Sequence, residues 1–358
     1  MAIAAQPTRV YDALLRDLEE GILAEVHPPG TRLPSEAELG RSYGISRISV
    51  RKALSELESR GLVFRRAGKG TFVQYPSASG RTPVLAPMGM SAPTMPSSSG
   101  SPLFLNPIHE AVAEACFELG YRLEWVHVKA VSQMEKDSLS GLICVSWPDE
   151  SLAELAEITE RGVPVVAVNR SPAGTRLNSV TIDHQAYAGR ATEYLLQLGH
   201  RDIALVVGDL NLSYMQERYQ GYREALNAGG VDHDPQLVVR CAGWQAEEVW
   251  DRLSHCLSRK RVTAVLTAAG IYTAPTLTAL HRLGREIPRD ISVISFDDVP
   301  NPLYPIVPAL SAVRQPLEAL GRRAVEILHQ AQRKGTQKPV NEVLPAELVI
   351  RDSCRKVG

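Results

Sequence analysis

The segment from Gly30 to Val73 most constrains what this chain can fold into, because it carries the start and stop signals of two short helices and a hairpin. Ser35 and Glu38 form an S-x-x-E pair, which predicts the N-terminus of the first helix. Gly44 predicts a tight turn, and Ser46 predicts the cap of the second helix. The pattern therefore indicates a helix, a turn and a helix in immediate succession.

The second helix of this segment presents two arginines near its start. Arg47 and Arg51 lie one turn apart, on the face opposite to the apolar residues. Four apolar residues recur at helical spacing: Val50, Ala53, Leu54 and Leu57. In a helix-turn-helix domain, residues at the start of the second helix contact base edges in the major groove of DNA.

A basic hairpin follows the second helix. Its two short apolar runs are Leu62–Phe64 and Thr71–Val73. The connection between them is mostly basic residues and glycine: Arg65, Arg66, Gly68, Lys69 and Gly70. An apolar stripe over residues 7–25 predicts a further helix before the segment. Together these elements predict a winged helix-turn-helix domain of the α+β class over residues 1–76.

The charge distribution supports nucleic-acid binding by this region. The whole chain holds 39 basic and 40 acidic residues, so its net charge is −1. Residues 41–72 nevertheless hold eight Lys or Arg against two Glu, and a compact basic patch of this kind is the electrostatic footprint of nucleic-acid binding. A solvated helix face would give a similar count, but these charges coincide with a helix N-terminus and a hairpin tip.

The motifs of this region resemble the winged-helix domain of the GntR family. The matching motifs are Gly30-x-x-Leu33-Pro34-Ser35-Glu36, Gly44-Ile45-Ser46-Arg47, Val50-Arg51-Lys52-Ala53-Leu54 and Gly68-Lys69-Gly70-Thr71-Phe72-Val73. The resemblance implies that Gly68 enters the minor groove and that four residues contact operator DNA, namely Ser46, Arg47, Ser49 and Arg51. One expected contact is missing, because Ala37 stands where many members carry an arginine. Phosphate attraction is expected from Lys52, Arg65, Arg66 and Lys69.

Residues 76–102 differ sharply in composition from what precedes them. Of these 27 residues, 16 are Pro, Gly or Ser and only Arg81 is charged, which is typical of a linker. Pro83–Pro87 is nevertheless a possible first strand of the next domain. We therefore predict a linker over residues 77–82, loop-rich sequence to about residue 102, and a second domain over residues 83–358.

Beyond the linker, short apolar runs alternate with helical patterns. The runs are Leu123–Val128, Gly141–Val145, Val163–Val168, Ser179–Ile182, Ile203–Val207, Leu237–Cys241, Val262–Thr267 and Ile291–Phe296. Helical patterns fall near residues 107–119, 151–161, 185–198, 215–228, 245–258, 273–283 and 316–333. The alternation predicts an α/β fold with parallel sheets covered by helices. Periodicity by itself leaves open whether there is one large sheet or two smaller lobes.

Residues 83–358 resemble the LacI/GalR effector-binding domain, most strongly in the second half of that range. The matching motifs are Ile182-Asp183, Leu198-Gly199-His200-Arg201-x-Ile203-Ala204, Arg218-x-x-Gly221-Tyr222, Ile291-Ser292-Val293-x-x-Phe296-Asp297-Asp298 and Glu347-Leu348-x-Ile350-Arg351-x-Ser353. The resemblance implies the two-lobed α/β fold of periplasmic binding proteins, with a ligand cleft between the lobes. A GntR-type DNA-binding domain joined to such a domain is similar to the arabinose-responsive repressors.

This second resemblance implies a set of effector-binding residues. Arg218 stands at the position of the family's ligand-gripping arginine, and Asp297 at that of its hydroxyl-binding aspartate. A guanidinium and a carboxylate suit a polyol, since they offer donors and acceptors to adjacent hydroxyls. Further contacts are expected from Trp244, Asn169, Arg170 and Phe104. Ala269-Gly270 departs from the family, which typically carries Asn-Asp there, so a standard hexose or pentose is not assumed.

The composition and motifs of the chain argue against several classes of protein. No apolar run reaches the ~18 residues that a membrane span needs, and no signal peptide is predicted at the N-terminus. The five cysteines are scattered, which favours reduced thiols and a cytoplasmic location. His109-Glu110 lacks the second histidine of a zinc-protease helix, and no phosphate loop or G-x-S-x-G motif is present. We therefore expect neither an enzyme nor a cofactor or metal site.

The leading hypothesis is a ligand-controlled transcriptional repressor that acts as a homodimer on a pseudo-palindromic operator. Its effector is expected to be a sugar or a related polar metabolite. One alternative is the same DNA-binding domain fused to a pyridoxal-dependent, aminotransferase-like enzyme, which would require a Schiff-base lysine. Another alternative is a sensor domain that binds no ligand and serves only for dimerisation.

Overall fold

The computed structural model describes residues 7–23, 26–27, 30–59, 62–66, 70–74, 87–91, 102–134, 138–145, 151–172, 175–243, 245–298, 307–334 and 338–357. They fall into two compact units. The first comprises the described residues up to Pro87 together with Cys116–Arg122, and the second comprises Met88–Ala115 and the described residues from Leu123 onward.

The N-terminal residues form three helices and a two-stranded ribbon. The elements are α1 (Pro7–Leu23), α2 (Glu36–Tyr43), α3 (Arg47–Ser59), β1 (Val63–Arg66) and β2 (Gly70–Val73). The two strands pair antiparallel, with Val63 opposite Val73. Buried apolar residues from all three helices and both strands pack into one core, including Leu14, Leu39, Leu54, Val63 and Val73. The predicted winged helix-turn-helix is confirmed.

The caps that the sequence predicted are present at α2. The Ser35 hydroxyl accepts a hydrogen bond from the Glu38 backbone N–H at 3.3 Å, and the Ser35 N–H donates to the Glu38 carboxylate at 2.7 Å. This reciprocal capping box satisfies two N–H groups that the start of a helix leaves without a partner. Gly44 ends α2 with φ 65°, in the left-handed region that favours glycine, and its N–H donates to the Gly40 carbonyl.

One part of this unit was not anticipated. The residues before α2 run antiparallel to β2, where Leu33 N–H donates to Thr71 O at 2.9 Å and Val73 N–H donates to Thr31 O at 2.9 Å. These backbone bonds attach β2 to the chain that leads into α2. Strand β2 is therefore hydrogen-bonded on both edges, to β1 on one side and to residues 31–33 on the other. An isolated two-stranded hairpin in water has no such additional support.

The first sheet of the second unit has six strands, all paired in parallel. Its order is β4-β3-β5-β6-β7-β13. The strands are β3 (Met88–Ser91), β4 (Leu123–Trp125), β5 (Gly141–Val145), β6 (Val165–Val168), β7 (Asn178–Ile182) and β13 (Asn341–Leu344). The helices that follow its first three strands in the chain are α4 (Pro102–Glu118), α5 (Val128–Val131) and α6 (Leu152–Glu160).

The second sheet also has six strands, in the order β9-β8-β10-β11-β12-β14. The strands are β8 (Ile203–Val207), β9 (Val238–Arg240), β10 (Ala264–Thr267), β11 (Ser292–Phe296), β12 (Ser311–Arg314) and β14 (Glu347–Val349). Only β14 pairs antiparallel, along β12. The helices between these strands are α8 (Ser213–Ala228), α9 (Ala246–Arg259) and α10 (Thr273–Arg282).

The chain passes between the two sheets three times. It leaves the first sheet after β7 and enters α7 (His184–Gln197), which packs on α8 of the second sheet. It returns after β12 through α11 (Leu317–Lys334), which packs on β5, β6 and β7. It crosses last between β13 and β14. The two-lobed architecture implied by the family resemblance is confirmed, and residues just before α7 and α11 lie at the crossovers.

The first strand that the structure describes in the first sheet is Met88–Ser91. Pro83–Pro87 is the segment that the sequence offered for this strand, and its residues 83–86 lie outside the described part. This strand pairs on both sides, with β4 and β5, so every N–H is needed for the ladder and proline is unsuitable there. The predicted run Leu123–Val128 is also too long, because the strand ends at Trp125 and Val128 begins α5.

Candidate functional site

The first site is the exposed face at the start of α3. Arg47, Arg51 and Lys52 are all exposed there. The Ser46 hydroxyl accepts a hydrogen bond from the Ser49 N–H at 3.2 Å and lies 3.0 Å from the Ser49 hydroxyl. Ser46 therefore caps α3 as predicted, and the two predicted serine contacts are adjacent at the helix N-terminus.

Arg51 is held by an ion pair that the sequence analysis did not identify. Its Nε and Nη2 donate to the two carboxylate oxygens of Glu36, at 3.1 Å and 2.9 Å. This hydrogen bond lowers the pKa of Glu36 and raises the pKa of Arg51. Glu36 lies on α2, so the two-point pair fixes the guanidinium plane relative to both helices. An arginine oriented in this way presents its remaining N–H groups in a defined direction.

Arg65 connects the ribbon to α3. Its Nη2 donates to the Arg51 carbonyl at 3.0 Å and to the Ser55 hydroxyl at 2.8 Å, and its Nε lies 3.4 Å from a Glu58 carboxylate oxygen. Arg65 was predicted only as a phosphate-attracting charge, and these contacts give it a structural part as well. The Arg66 backbone pairs with Gly70 in the ribbon. The Arg66 side chain, Gly68 and Lys69 lie outside the described residues.

The second candidate site surrounds Arg218 of α8, where residues of both lobes meet, and we call this region the cleft. Only 2% of Arg218 is exposed. Its Nε and Nη2 both approach Nδ1 of His184, at 3.3 Å and 3.2 Å, and its Nη1 donates to the Ala268 carbonyl at 2.6 Å. The guanidinium carbon lies 3.7 Å from the centre of the Phe296 ring. Within the described ranges Arg218 forms no ion pair with a carboxylate, and burial lowers its pKa.

His184 is a member of this cleft that the sequence analysis missed. It is the first residue of α7, directly after the Ile182-Asp183 motif, and it is buried. Burial, followed by the charge of Arg218, holds the pKa of His184 well below its usual range. Because Nδ1 accepts from Arg218, the neutral ring carries its proton on Nε2. The signal for it was the adjacent Ile182-Asp183 motif, although a buried histidine is more often structural.

The first lobe contributes Asn169 and Arg170 at the end of β6. Both residues are buried, and Asn169 has φ 63°. The guanidinium carbons of Arg170 and Arg218 each lie 5.1 Å from the centre of the Tyr214 ring. Two arginines, one from each lobe, therefore meet at one aromatic ring in cation–π contact. Among the described residues, Oδ1 of Asn169 has no hydrogen-bond partner.

Asp297 follows the carboxyl end of β11. Its φ of 84° lies in the left-handed region, which aspartate and asparagine adopt more readily than most residues. One carboxylate oxygen accepts from the Gly270 N–H at 2.8 Å, and the other accepts from the side-chain amide of Gln315. A Cβ atom at Gly270 would lie 3.1 Å from Cβ of Asp297. The glycine at position 270, where the family typically has an aspartate, thus lets its own backbone N–H approach the Asp297 carboxylate closely.

Gln315 was also missed, and it lies at the crossover from β12 to α11. It is buried, and its Oε1 has no hydrogen-bond partner among the described residues. Its other amide atom is bonded to Asp297, so it joins the cleft to a segment that passes between the lobes. No sequence motif predicts the contact between Gln315 and Asp297, because glutamine is common in loops and the two residues are 18 positions apart.

Two other residues predicted to contact the effector, Phe104 and Trp244, are not among the contacts described above. Phe104 is buried in the first turn of α4, and in the described part of the chain no hydrogen bond or ring contact joins it to Arg218 or Asp297. Trp244 lies outside the described residues. The residues just before it, Ala242 and Gly243, each donate a backbone N–H to the Glu248 carboxylate at 2.7 Å.

Two further features are absent from the same described ranges, namely a cluster of metal ligands and a membrane-spanning helix. No three His, Cys, Asp or Glu side chains come together there as a ligand set for a metal ion. No helix there is both long and apolar enough to cross a membrane.

Both parts of the chain match known protein families. Residues 7–73 match bacterial regulatory proteins of the gntR family, and residues 192–354 match the periplasmic binding protein-like domain. The HTH-type transcriptional repressor PurR of Pasteurella multocida (strain Pm70) is 29% identical over 271 residues, which cover 72% of this chain and 79% of that protein. PurR of Serratia proteamaculans (strain 568) is 31% identical over 245 residues, covering 64% of this chain and 70% of that protein.

Solved structures show the same fold. The transcriptional regulator CelR in complex with cellobiose has a TM-score of 0.66 and 23% identity, covering 90% of this chain and 100% of that chain. A LacI family transcriptional regulator from Enterococcus faecium with bound ribose has a TM-score of 0.65 and 19% identity, covering 76% of this chain and 99% of that chain.

Proposed function

Because this chain belongs to the LacI/GalR-type transcriptional repressors and carries a DNA-binding domain of the gntR family, we propose that it is an operator-binding repressor controlled by a sugar or a sugar-like polyol. The observation that carries the effector class is the pair Arg218 and Asp297. In this proposal both line the cleft between the lobes, and each is already oriented by protein hydrogen bonds. Such pre-orientation reduces the entropy lost when a ligand binds.

The hydrogen-bond inventory of the pair favours hydroxyl groups. A guanidinium has five N–H groups. Three of those of Arg218 are used by His184 and the Ala268 carbonyl, so two remain for a ligand. The Asp297 carboxylate accepts from Gly270 and Gln315 and keeps further lone pairs. Adjacent sugar hydroxyls can accept from the arginine and donate to the aspartate. Fold neighbours with bound cellobiose and ribose are consistent with this chemistry.

We place the DNA-binding domain over residues 1–76 and the effector domain over residues 83–358, and we propose a homodimer. Two winged helices would then read the half-sites of a pseudo-palindromic operator. An effector that acts as an inducer binds the free arrangement of the lobes more tightly than the DNA-bound one, and it shifts the population by that difference in affinity.

We further propose that the chain is not an enzyme and that it acts in the cytoplasm. The relatives reported above are transcriptional repressors, and a repressor works where the chromosomal DNA is. Six lysines follow the ribbon, at positions 129, 136, 260, 334, 338 and 356. The fused pyridoxal enzyme would need one of them as a Schiff-base residue, and an absorbance band of an aldimine in the purified protein would contradict our proposal.

A thermal-shift screen tests the effector class. The full chain is melted with ribose, arabinose, glucose, galactose and cellobiose, with amino acids and nucleobases as the comparison group. A ligand at about 100 times its Kd stabilises the folded state by ~2.7 kcal/mol, which a melting curve resolves. The proposal expects a shift from at least one sugar and a change in the affinity for operator DNA with that sugar. A shift from the comparison group only would overturn the sugar assignment.

A further inference from the structure

Tyr272 lies in the second lobe, in the short 3-10 turn Gly270–Tyr272 that follows β10. Its side chain is completely buried, with 0% exposed. Its hydroxyl nevertheless has no hydrogen-bond partner among the described residues. Buried hydroxyls are almost always hydrogen-bonded to protein or to ordered water, so an exception calls for a physical explanation.

The position of the hydroxyl is defined by Gly208. A Cβ atom built on Gly208 would lie 2.2 Å from the Tyr272 oxygen, so the hydroxyl rests directly against the backbone at that glycine. Gly208 is the first residue after β8, and Tyr272 comes shortly after β10, which pairs in parallel with β8. The hydroxyl therefore lies at the carboxyl ends of two neighbouring parallel strands. Ligands of open α/β sheets bind at this edge.

The surroundings connect this hydroxyl to the cleft already described. The ionisable groups near enough to influence it are Tyr214, Cys241, Glu248 and Asp209, and burial raises the pKa of Tyr272. The phenol is consequently neutral and can both donate and accept a hydrogen bond. Tyr214 is the aromatic residue in cation–π contact with the guanidinium groups of Arg170 and Arg218. Gly270, at the other end of the same short turn, binds the Asp297 carboxylate.

A phenylalanine at position 272 would fill nearly the same space without burying an unsatisfied polar atom. The hydroxyl is therefore unfavourable in the free protein unless something supplies its partner. Tyr222 shows the ordinary solution in the same lobe, because its buried hydroxyl donates to the Ile203 carbonyl at 2.8 Å. The Tyr272 hydroxyl, in contrast, has no such partner among the described residues.

We propose that Tyr272 determines which effector the cleft accepts: its hydroxyl bonds one hydroxyl of the ligand, which reaches the carboxyl ends of β8 and β10 beside Gly208. The inference rests on the proposed sugar-type effector and extends it by naming a specificity-determining residue. Gly208 is needed because a side chain there would occupy the place of the phenol oxygen. Discrimination follows because a ligand that lacks this hydroxyl leaves the tyrosine unsatisfied.

The test compares Tyr272→Phe with the matched control Tyr222→Phe in the full chain. In the absence of sugar, we expect Tyr272→Phe to melt at the wild-type temperature or higher, since it removes an unsatisfied hydroxyl. Tyr222→Phe should melt at a lower temperature, since it removes a satisfied one. The probe for binding is the sugar that most stabilises the wild type among ribose, arabinose, glucose, galactose and cellobiose. Its affinity should fall roughly tenfold in Tyr272→Phe and stay unchanged in Tyr222→Phe.

Monodeoxy analogues of the same sugar identify the partner group. One analogue should bind the wild type and Tyr272→Phe equally well, because the bond is already absent. The inference is overturned if sugar-free Tyr272→Phe melts well below the wild type, or if every sugar keeps its wild-type affinity in that variant. If no sugar binds the wild type, the proposed effector class fails instead, and the sugar-free melting comparison still decides whether the hydroxyl has a partner within the protein.

Discussion

Nδ1 of His184 accepts from both Nε and Nη2 of Arg218, at 3.3 Å and 3.2 Å, so the buried arginine is oriented by a neutral imidazole and not by a carboxylate. A carboxylate partner would neutralise the guanidinium. The imidazole leaves its positive charge available in the cleft, where Asp297 influences it across the site. His184 also begins the helix that follows the first crossover, so the same residue links the proposed effector site to the connection between the lobes.

This arrangement predicts a dependence of stability on pH. The pKa of His184 in the folded protein is well below its ordinary value of 6.5, so the unfolded chain binds more protons below about pH 6.5. Stability should therefore be complete above that pH and fall as the pH decreases from about 6.5 toward 5. Melting curves of the wild type and His184→Asn test this, since the asparagine oxygen can accept from Arg218 without titrating. The stability of the variant should fall less steeply with decreasing pH than that of the wild type. The fall that remains is due to other histidines with a lowered pKa, such as His200. Identical pH profiles would contradict the assignment.

Replacement of Asp297 by asparagine should weaken effector binding without unfolding the protein. Asparagine tolerates the positive φ of this position, and its oxygen can still accept from Gly270 while Gln315 turns its own amide. The substitution removes the negative charge that we propose accepts hydrogen bonds from ligand hydroxyls, so the affinity for the effector should fall roughly ten- to hundredfold. Asp251→Asn on the exposed surface is the control and should bind normally. Titration calorimetry measures both, and equal affinities would exclude Asp297 from the site.

The ion pair between Arg51 and Glu36 predicts separate effects of two variants on DNA binding. We propose that the Arg51 guanidinium reads a base, so Arg51→Ala should reduce binding to operator by roughly tenfold or more beyond any loss on random DNA. Glu36→Gln removes a negative charge but also the fixed orientation, so binding to random DNA should rise while the preference for operator falls. Fluorescence anisotropy with both DNAs measures this, with Arg16→Ala on the exposed surface of α1 as control. An equal loss on both DNAs in Arg51→Ala would exclude base reading.

Arg65 should contribute to both the structure and the affinity of the DNA-binding domain. Arg65→Lys keeps the positive charge but cannot reproduce the contacts to the Arg51 carbonyl and the Ser55 hydroxyl together. We expect it to lower the stability of this domain while the salt dependence of DNA binding stays close to that of the wild type. Arg65→Ala should lower both the stability of the domain and its affinity for DNA, and the affinity should depend less steeply on salt concentration. A wild-type melting curve for Arg65→Lys would show that the contacts to α3 contribute nothing.

Local signals in the sequence were sufficient for much of the fold. The capping box at Ser35, the left-handed turn at Gly44 and the apolar stripe of α3 depend on residues a few positions apart, and all are present. Strands such as Ile203–Val207 were recognised because a buried parallel strand is a continuous apolar run. The strands β12, β13 and β14 were missed because each holds only two apolar residues and therefore forms no continuous apolar run.

The sequence by itself determined the chemistry that is available: the basic start of α3, the alternating α/β pattern, and the arginine and aspartate of the cleft. Only the tertiary structure decided which groups meet. It divides the strands into two sheets, joins Arg218 to His184, and brings Gln315 and the Gly270 N–H to Asp297. It also sets the Tyr272 hydroxyl against Gly208, without a hydrogen-bond partner among the residues that the structure describes. Periodicity reports which face of an element is buried, whereas the partner on that face depends on the order of strands and on three crossovers between lobes. The hydrogen bonds among them join residues 18 to 34 positions apart, so no local pattern contains them.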